Sequence, residues 1–216
     1  MGVPVVYGDD VGELESYQNG YSYIGQADGA LTEICNALGL SWSIQNNVLN
    51  ILKELEIPFE IIDTQIGEII FSARKESNPC SLCSKMRKGA LYDHAKKLGC
   101  TKIALGHNKD DINETLLMSL FYEGRIHTMS PKTYMDQVNL HIIRPLIYVP
   151  EGDIRGFVRK KNLPVVKSPC PVDGKTKRED TKQLIYSLQK DIPRLQQNLF
   201  GAITRSHIEG WEQKEN

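Results

Sequence analysis

Apolar positions along this chain recur with two periods, one near two residues and one near three and a half. Their alternation predicts the elements. Val3 to Val6 is a short β-branched run that turns at Tyr7-Gly8-Asp9-Asp10, which predicts a strand and a tight exit. Glu13 to Gly29 is polar and rich in tyrosine and glycine, and its pattern assigns no element. Leu31 to Leu38 fits either a strand or a helix by period, and the strand is preferred. Ser43 to Leu55 places Val48, Leu49, Ile51, Leu52 and Leu55 on one helical face. Phe59 to Ile62 is a strand ending at Asp63-Thr64. A helix beginning around Cys83 carries Met86, Ala90, Leu91, Ala95 and Leu98 on one side, and Gly99 stops it. Lys102 to Leu105 is a buried-type strand, and Asp110 to Phe121 a helix with Ile112, Leu116, Leu117 and Leu120 inward. Beyond a loop follow a strand at Val138 to Arg144 and a helix at Glu151 to Lys161. Leu163 to Val166 is extended, and a charged helical tail covers Asp180 to His207.

Strand and helix alternating over short links predict βαβ units, and so an α/β fold with a mainly parallel sheet. Such sheets bind ligands beyond the carboxyl ends of their strands. The pattern places Asp63-Thr64, Gly106-His107 and the Tyr7 turn there. Composition adds little to this. With 216 residues, 40% hydrophobic and 25% charged, the chain is long enough to build a core without staples. A formal net charge of −1 argues against non-specific nucleic-acid binding by total charge but leaves room for a local basic face. No apolar run approaches the roughly 18 residues of a membrane span. The first ten residues lack the basic flank and apolar stretch of a signal peptide, and Val6 stands where a myristoylation signal needs Ser or Thr. A cytoplasmic location and no membrane partner are therefore expected. There the five cysteines, Cys35, Cys80, Cys83, Cys100 and Cys170, are reduced, and the odd count gives no disulfide framework.

Chemistry concentrates between Asn78 and Asp111. Cys80 and Cys83 are spaced Cys-x-x-Cys after Pro79, so both thiolates can reach one metal, and the helix start beyond them favours thiolate. Two buried small hydrophobes are the bland alternative. A thioredoxin-like pair would sit after a first strand, not in mid-chain. Closed zinc sites take four ligands. The one further convincing candidate is Cys170, in Ser168-Pro-Cys-Pro-Val-Asp-Gly, where prolines hold a loop extended. Three cysteines suit an iron–sulfur cluster with one open iron better than closed zinc, although four-cysteine ligation is commoner. Cys35 and Cys100 lie in or beside apolar elements and read as packing residues. The turn Gly106-His107-Asn108-Lys109-Asp110-Asp111 admits a ligand close to the backbone at its glycine. Asp110 and Asp111 could hold Mg2+ on nucleotide phosphates. Equally, Asp111 and Glu114 have capping-box spacing, and acids in a first turn stabilise any helix. Basic residues gather at Lys85, Arg87 and Lys88, and again at Lys175, Lys177, Arg178 and Lys182. Such runs are usually solvated faces, but both flank the cysteines, where a polynucleotide backbone would need neutralising.

Together PCSLCSKMRKGAL, KIALGHNKDDINETLLMSLFYEGR, SPKTY, IRPLIYV and SPCPVDG resemble the tRNA 2-thiocytidine synthetase family of PP-loop ATPases, over about residues 38 to 205. The resemblance implies a doubly wound α/β domain of the adenine-nucleotide α-hydrolase type over residues 1–168, with the cysteine loop and helical tail of 169–216 packed on it. It implies an enzyme that adenylates a tRNA base carbonyl, cytidine by family, with ATP and Mg2+ and then inserts sulfur. On the same ground Cys80, Cys83 and Cys170 match the ligands of a [4Fe-4S] cluster, and Gly106, His107, Asp110 and Asp111 match the turn near ATP. Implied partners are tRNA, a sulfur donor such as a cysteine desulfurase, and a second copy in a homodimer. The family's phosphate-cradling Ser-Gly-Gly-x-Asp-Ser loop aligns with Val6 to Val11, where only Gly8 and Asp10 survive. Tyr7 fills space that a backbone should leave open, Asp9 adds a repelling charge, and valines replace both serines. A binding protein that keeps the cluster and the RNA surface without ATP turnover is therefore the alternative. A zinc-bound structural module is a third reading, one that lacks a fourth ligand.

Overall fold

A computed structural model describes residues 5–7, 21–25, 53–54, 59–61, 64–75, 78–163, 165, 170–206 and 208–211. Six strands form one sheet: β1 (Val5–Tyr7), β2 (Tyr21–Gly25), β3 (Phe59–Ile61), β4 (Lys102–Ala104), β5 (Lys132–Met135) and β6 (Leu140–Ile143), in the order β3-β2-β1-β4-β6-β5. Its helices are α1 (Pro79–Lys97), α2 (Lys109–Met118), α3 (Glu151–Lys160), α4 (Lys177–Leu188) and α5 (Leu195–Arg205). Single π-helical stretches lie at Glu68–Ala73 and, continuing α2, at Ser119–Glu123. The fold is α/β, as the alternation predicts.

Four strands share one direction. β2 pairs parallel with β3, and β4 with β6, while β1 runs antiparallel to both β2 and β4, and β5 antiparallel to β6. The direction of β1 changes one expectation. Tyr7 pairs with Lys102 and Val5 with Ala104, so β1 ends at the amino edge of β4. The Tyr7 turn therefore leaves on the edge opposite Gly106, not on the shared rim. The expected strand at Leu31–Leu38, Cys35, Gly8 and Asp10 lie outside the described residues. So does the Ser43–Leu55 helix except for Lys53 and Glu54, which are helical. Of Leu163–Val166 only residues 163 and 165 are described, and neither is in a strand.

Two apolar clusters hold the described part together. Leu91 and Ala95 of α1 pack on Ile103 of β4 and on Leu140 and Ile142 of β6. Ile112 and Leu116 of α2 pack with Ile147, with Phe200 and Ile203 of α5, and with Ile208 and Trp211 beyond it. Phe200 and Trp211 meet edge to face at 5.5 Å. Five residues of the expected apolar faces miss the core: Leu98, at the end of α1, and Leu120, past the α-helical part of α2, are exposed, and Met86, Ala90 and Leu117 are half-buried. The tail is two helices rather than one, separated by a turn that contains Pro193, which cannot continue a helix. Among the described residues no helix is long and apolar enough to cross a membrane.

Candidate functional site

α1 has 19 residues, about 28 Å at 1.5 Å per residue, over a three-residue strand. It leads into β4 through Gly99, whose φ of +71° needs glycine. Running back over β4, it carries its N-terminus past the carboxyl edge of the sheet. The helix starts at Pro79, earlier than the spacing suggests, because proline is suited to a first helical position. Cys80 and Cys83 thus both stand in its opening turns. Cys80 is exposed, and Cys83 and Cys170 are partly covered. Burial first, and the neighbouring Cys170 second, push the Cys80 thiol above its ordinary range. This reverses the expected preference for thiolate at a helix start: two sulfurs side by side repel as anions unless a cation sits between them. Cys80 and Cys170, 90 residues apart in the chain, are therefore neighbours. Among the described residues, however, no three His, Cys, Asp or Glu side chains converge as a ready metal site.

The acidic turn lies at the same edge. β4 ends beside β6, with Leu105 N–H donating to Ile143 O at 2.9 Å, and Gly106-His107 leads into α2. Asn108 is the N-cap. Its Oδ1 accepts from Asp110 and Asp111 N–H at 2.9 and 3.2 Å, and Asp111 Oδ2 accepts from Asn108 N–H at 2.9 Å. The capping box is therefore Asn108–Asp111, three residues earlier than Asp111–Glu114. Asp110 is also engaged. Its Oδ2 accepts from Glu151 N–H at 2.7 Å, capping α3, whose own N-cap, Pro150, has no side chain to offer. Its Oδ1 accepts from Gln196 Nε2 at 2.9 Å, which ties in α5. Both aspartates thus hold helix starts together in this structure.

Sequence reasoning missed two polar groups inside α2. Glu114 is almost buried; burial raises its pKa, partly offset by Arg178, whose Nη1 lies 3.0 Å from its carboxylate. Asn113 is fully buried and donates to Gln196 O and Oε1, both at 3.1 Å. Their polar type hid them from a pattern search, and their places one and two residues after Ile112 gave no signal of burial. The basic clusters divide accordingly. Arg178 turns inward to Glu114, with Asp111 Oδ1 at 3.7 Å and Thr115 Oγ1 at 3.2 Å. Lys182 is drawn in by Glu151 at 2.9 Å, and despite burial that carboxylate holds its ammonium charged. Lys177 is exposed, 3.7 Å from Asp180 and over the Tyr122 ring. Lys85 and Lys88 are exposed on α1, and Arg87 is half-covered.

His107 lies between these groups. Burial, chiefly, lowers its pKa to about 4; Asp111 opposes this, and Arg144, Arg178 and Lys88 add to it. The ring is neutral near pH 7, and its buried Nδ1 has no hydrogen-bond partner.

A glycine-ended strand, a neutral histidine and a cysteine-bearing helix start, all on the carboxyl edge of one α/β sheet, define the class of α/β proteins that receive a ligand at the strand ends. Within that class, residues 36–186 match the PP-loop domain, and the chain belongs to the PP-loop domain family. It is 38% identical over 158 residues to the tRNA-cytidine(32) 2-sulfurtransferase of Cellvibrio japonicus, covering 71% of this chain and 52% of that protein. It is 38% identical over 163 residues to that of Pelobacter propionicus, covering 74% and 61%. The chain thus spans about half the length of the curated relatives it matches. In fold it is similar to the U34-tRNA thiolase NcsA from Methanococcus maripaludis with its [4Fe-4S] cluster. The TM-score is 0.60 at 23% identity, over 79% of this chain and 58% of that one. The PP-loop domain match begins after the Val6–Val11 segment.

Proposed function

We propose that this chain performs ATP-dependent tRNA thiolation, adenylating a tRNA base, cytidine by its relatives, and replacing the carbonyl oxygen with sulfur. The observation that carries the reading is the placement of the cysteines and the Gly106-His107 turn on one edge of a sheet of this family. Cys80, Cys83 and Cys170 suit a [4Fe-4S] cluster by donor type, since soft thiolates select such clusters and a cation relieves the Cys80–Cys170 repulsion. When bound, the cluster would supply an iron that can hold the sulfur to be delivered. Gly106 gives ATP access to the backbone, and neutral His107 is an uncharged hydrogen-bonding group beside it. Asp111 keeps Oδ1 outside the capping box, 3.7 Å from Arg178, and so is better placed for Mg2+ than Asp110, both of whose oxygens accept hydrogen bonds. Lys85, Arg87 and Lys88 meet the RNA backbone, with Lys177 as an outlying contact. Arg178 acts from within, through Glu114. A sulfur donor such as a cysteine desulfurase recharges the site, and homodimerisation is part of the same family reading.

The test is mass spectrometry of tRNA from cells lacking their own thiolase and supplied with this chain. Appearance of 2-thiocytidine, lost in Cys80→Ser and Cys170→Ser, is the expected result; unmodified tRNA beside an iron-loaded protein would overturn it. The second reading, a cluster- and RNA-binding protein without ATP turnover, is favoured by the start of the family match at residue 36. Calorimetric titration of ATP and Mg2+ separates the two. Micromolar binding supports the enzyme, and the lack of any binding by a folded, iron-loaded protein supports the binding protein.

A further inference from the structure

Arg144 is a half-buried cation, its Nε fully covered, that no described carboxylate balances. It follows β6 directly, level with Leu105 and Gly106, and its backbone N–H donates to Pro131 O at 2.9 Å. Nη1 donates to Ser130 O at 2.6 Å and to Thr133 Oγ1 at 3.1 Å. Nε is buried without a partner, and among the described residues no bond to Nη2 is formed. Burial works against the charge, and among the described residues the group that supports it is the Tyr92 phenol of α1. A covered donor left unpaired on a charge without a counter-ion is costly, so a guanidinium kept in this state points to an anion that arrives from outside. The geometry narrows the anion. With Nη1 pinned by two acceptors, the edge left over is Nε–H with Nη2–H, two parallel donors that match two oxygens on one atom. His107, near enough for the Arg144 charge to act on it, has its own buried Nδ1 open, and Lys88 contributes positive charge from α1.

We propose that Arg144, anchored by Thr133 and Ser130 and flanked by His107, is a phosphate seat between the cysteine-bearing helix and the Gly106 turn. Two sources share this chemistry, a free nucleotide and an RNA phosphodiester. The seat is a binding site in its own right and does not depend on which base is thiolated.

The experiment uses the full chain labelled at arginine nitrogen, with inorganic phosphate, AMP and a tRNA transcript as separate probes. The Arg144 Nε–H resonance is expected to shift with inorganic phosphate. Arg144→Lys, which keeps the charge and loses the fork, should weaken the same binding at least about tenfold. Thr133→Val, which leaves Nη1 held by Ser130 O alone, should weaken it a few-fold. A shift with AMP but not tRNA assigns the seat to the nucleotide, and the converse assigns it to the RNA backbone; either supports the seat. A resonance unmoved by all three probes overturns it, and that readout needs no variant to fold. Affinities in Arg144→Lys within twofold of the parent overturn it as well. Loss of thiolation with phosphate binding intact would sink the sulfurtransferase reading and leave the seat standing.

Discussion

His107 shows how one residue connects burial with pH. Its folded pKa is about 4 against 6.5 unperturbed, so the native state prefers the neutral ring. The stability this contributes is complete above pH 6.5 and is lost as pH falls towards 4, by at most about 3 kcal/mol. His107→Gln should flatten that part of a stability–pH profile followed by urea unfolding. An unchanged slope would show that the ring is solvated. Arg178 offers a second case. Removing it with Arg178→Ala strands the Glu114 carboxylate, and we expect a loss of about 2 kcal/mol, largely restored by adding Glu114→Gln. Cys170→Ser should sharply lower the iron content of anaerobically purified protein. Unchanged iron would remove Cys170 from the ligand set.

At the scale of elements, the legible parts were those where one period and one punctuating residue agreed. Ile103 and its apolar neighbours marked β4, Gly99 stopped α1 at a positive φ, and Ile112 with Leu116 oriented α2. Strand β2 escaped because Tyr21-Ser-Tyr-Ile-Gly mixes aromatic, polar and glycine residues with no clean alternation. Strand β5 escaped because Lys132 and Tyr134 face outward on a sheet edge, so little apolar signal remains. The cap at Asn108 was hidden by the two aspartates that follow it. Arg144 gave no signal as a site residue, since a lone arginine after a strand is ordinary and only its missing partners single it out. Asp110 connects three helices, so Asp110→Ala should cost about 1–2 kcal/mol of stability by denaturant titration, and Asp110→Asn less. A fully stable Asp110→Ala would return that carboxylate to the ligand.

For the molecule as a whole, the segment after α5 acts as a clasp. Trp211 Nε1 donates to Met129 O at 3.1 Å, and Gly210, at φ +80°, lies against Ser130, leaving no room for a Cβ. Gly210→Ala should therefore lower the melting temperature and, by displacing Ser130, disturb the Arg144 anchor. Inorganic phosphate affinity read beside the melt checks both.

The length of α1 has one more consequence. Its opening turns carry Cys80 and Cys83, while Lys88 and Tyr92, roughly 12 Å further along, border His107 and Arg144. A rigid helix of that kind works as a ruler. A molecule held at its inner mark reaches the sulfurs only if its own span matches the interval. A fragment as small as phosphate should fill one end and leave the other untouched, so selection by reach comes before any chemistry.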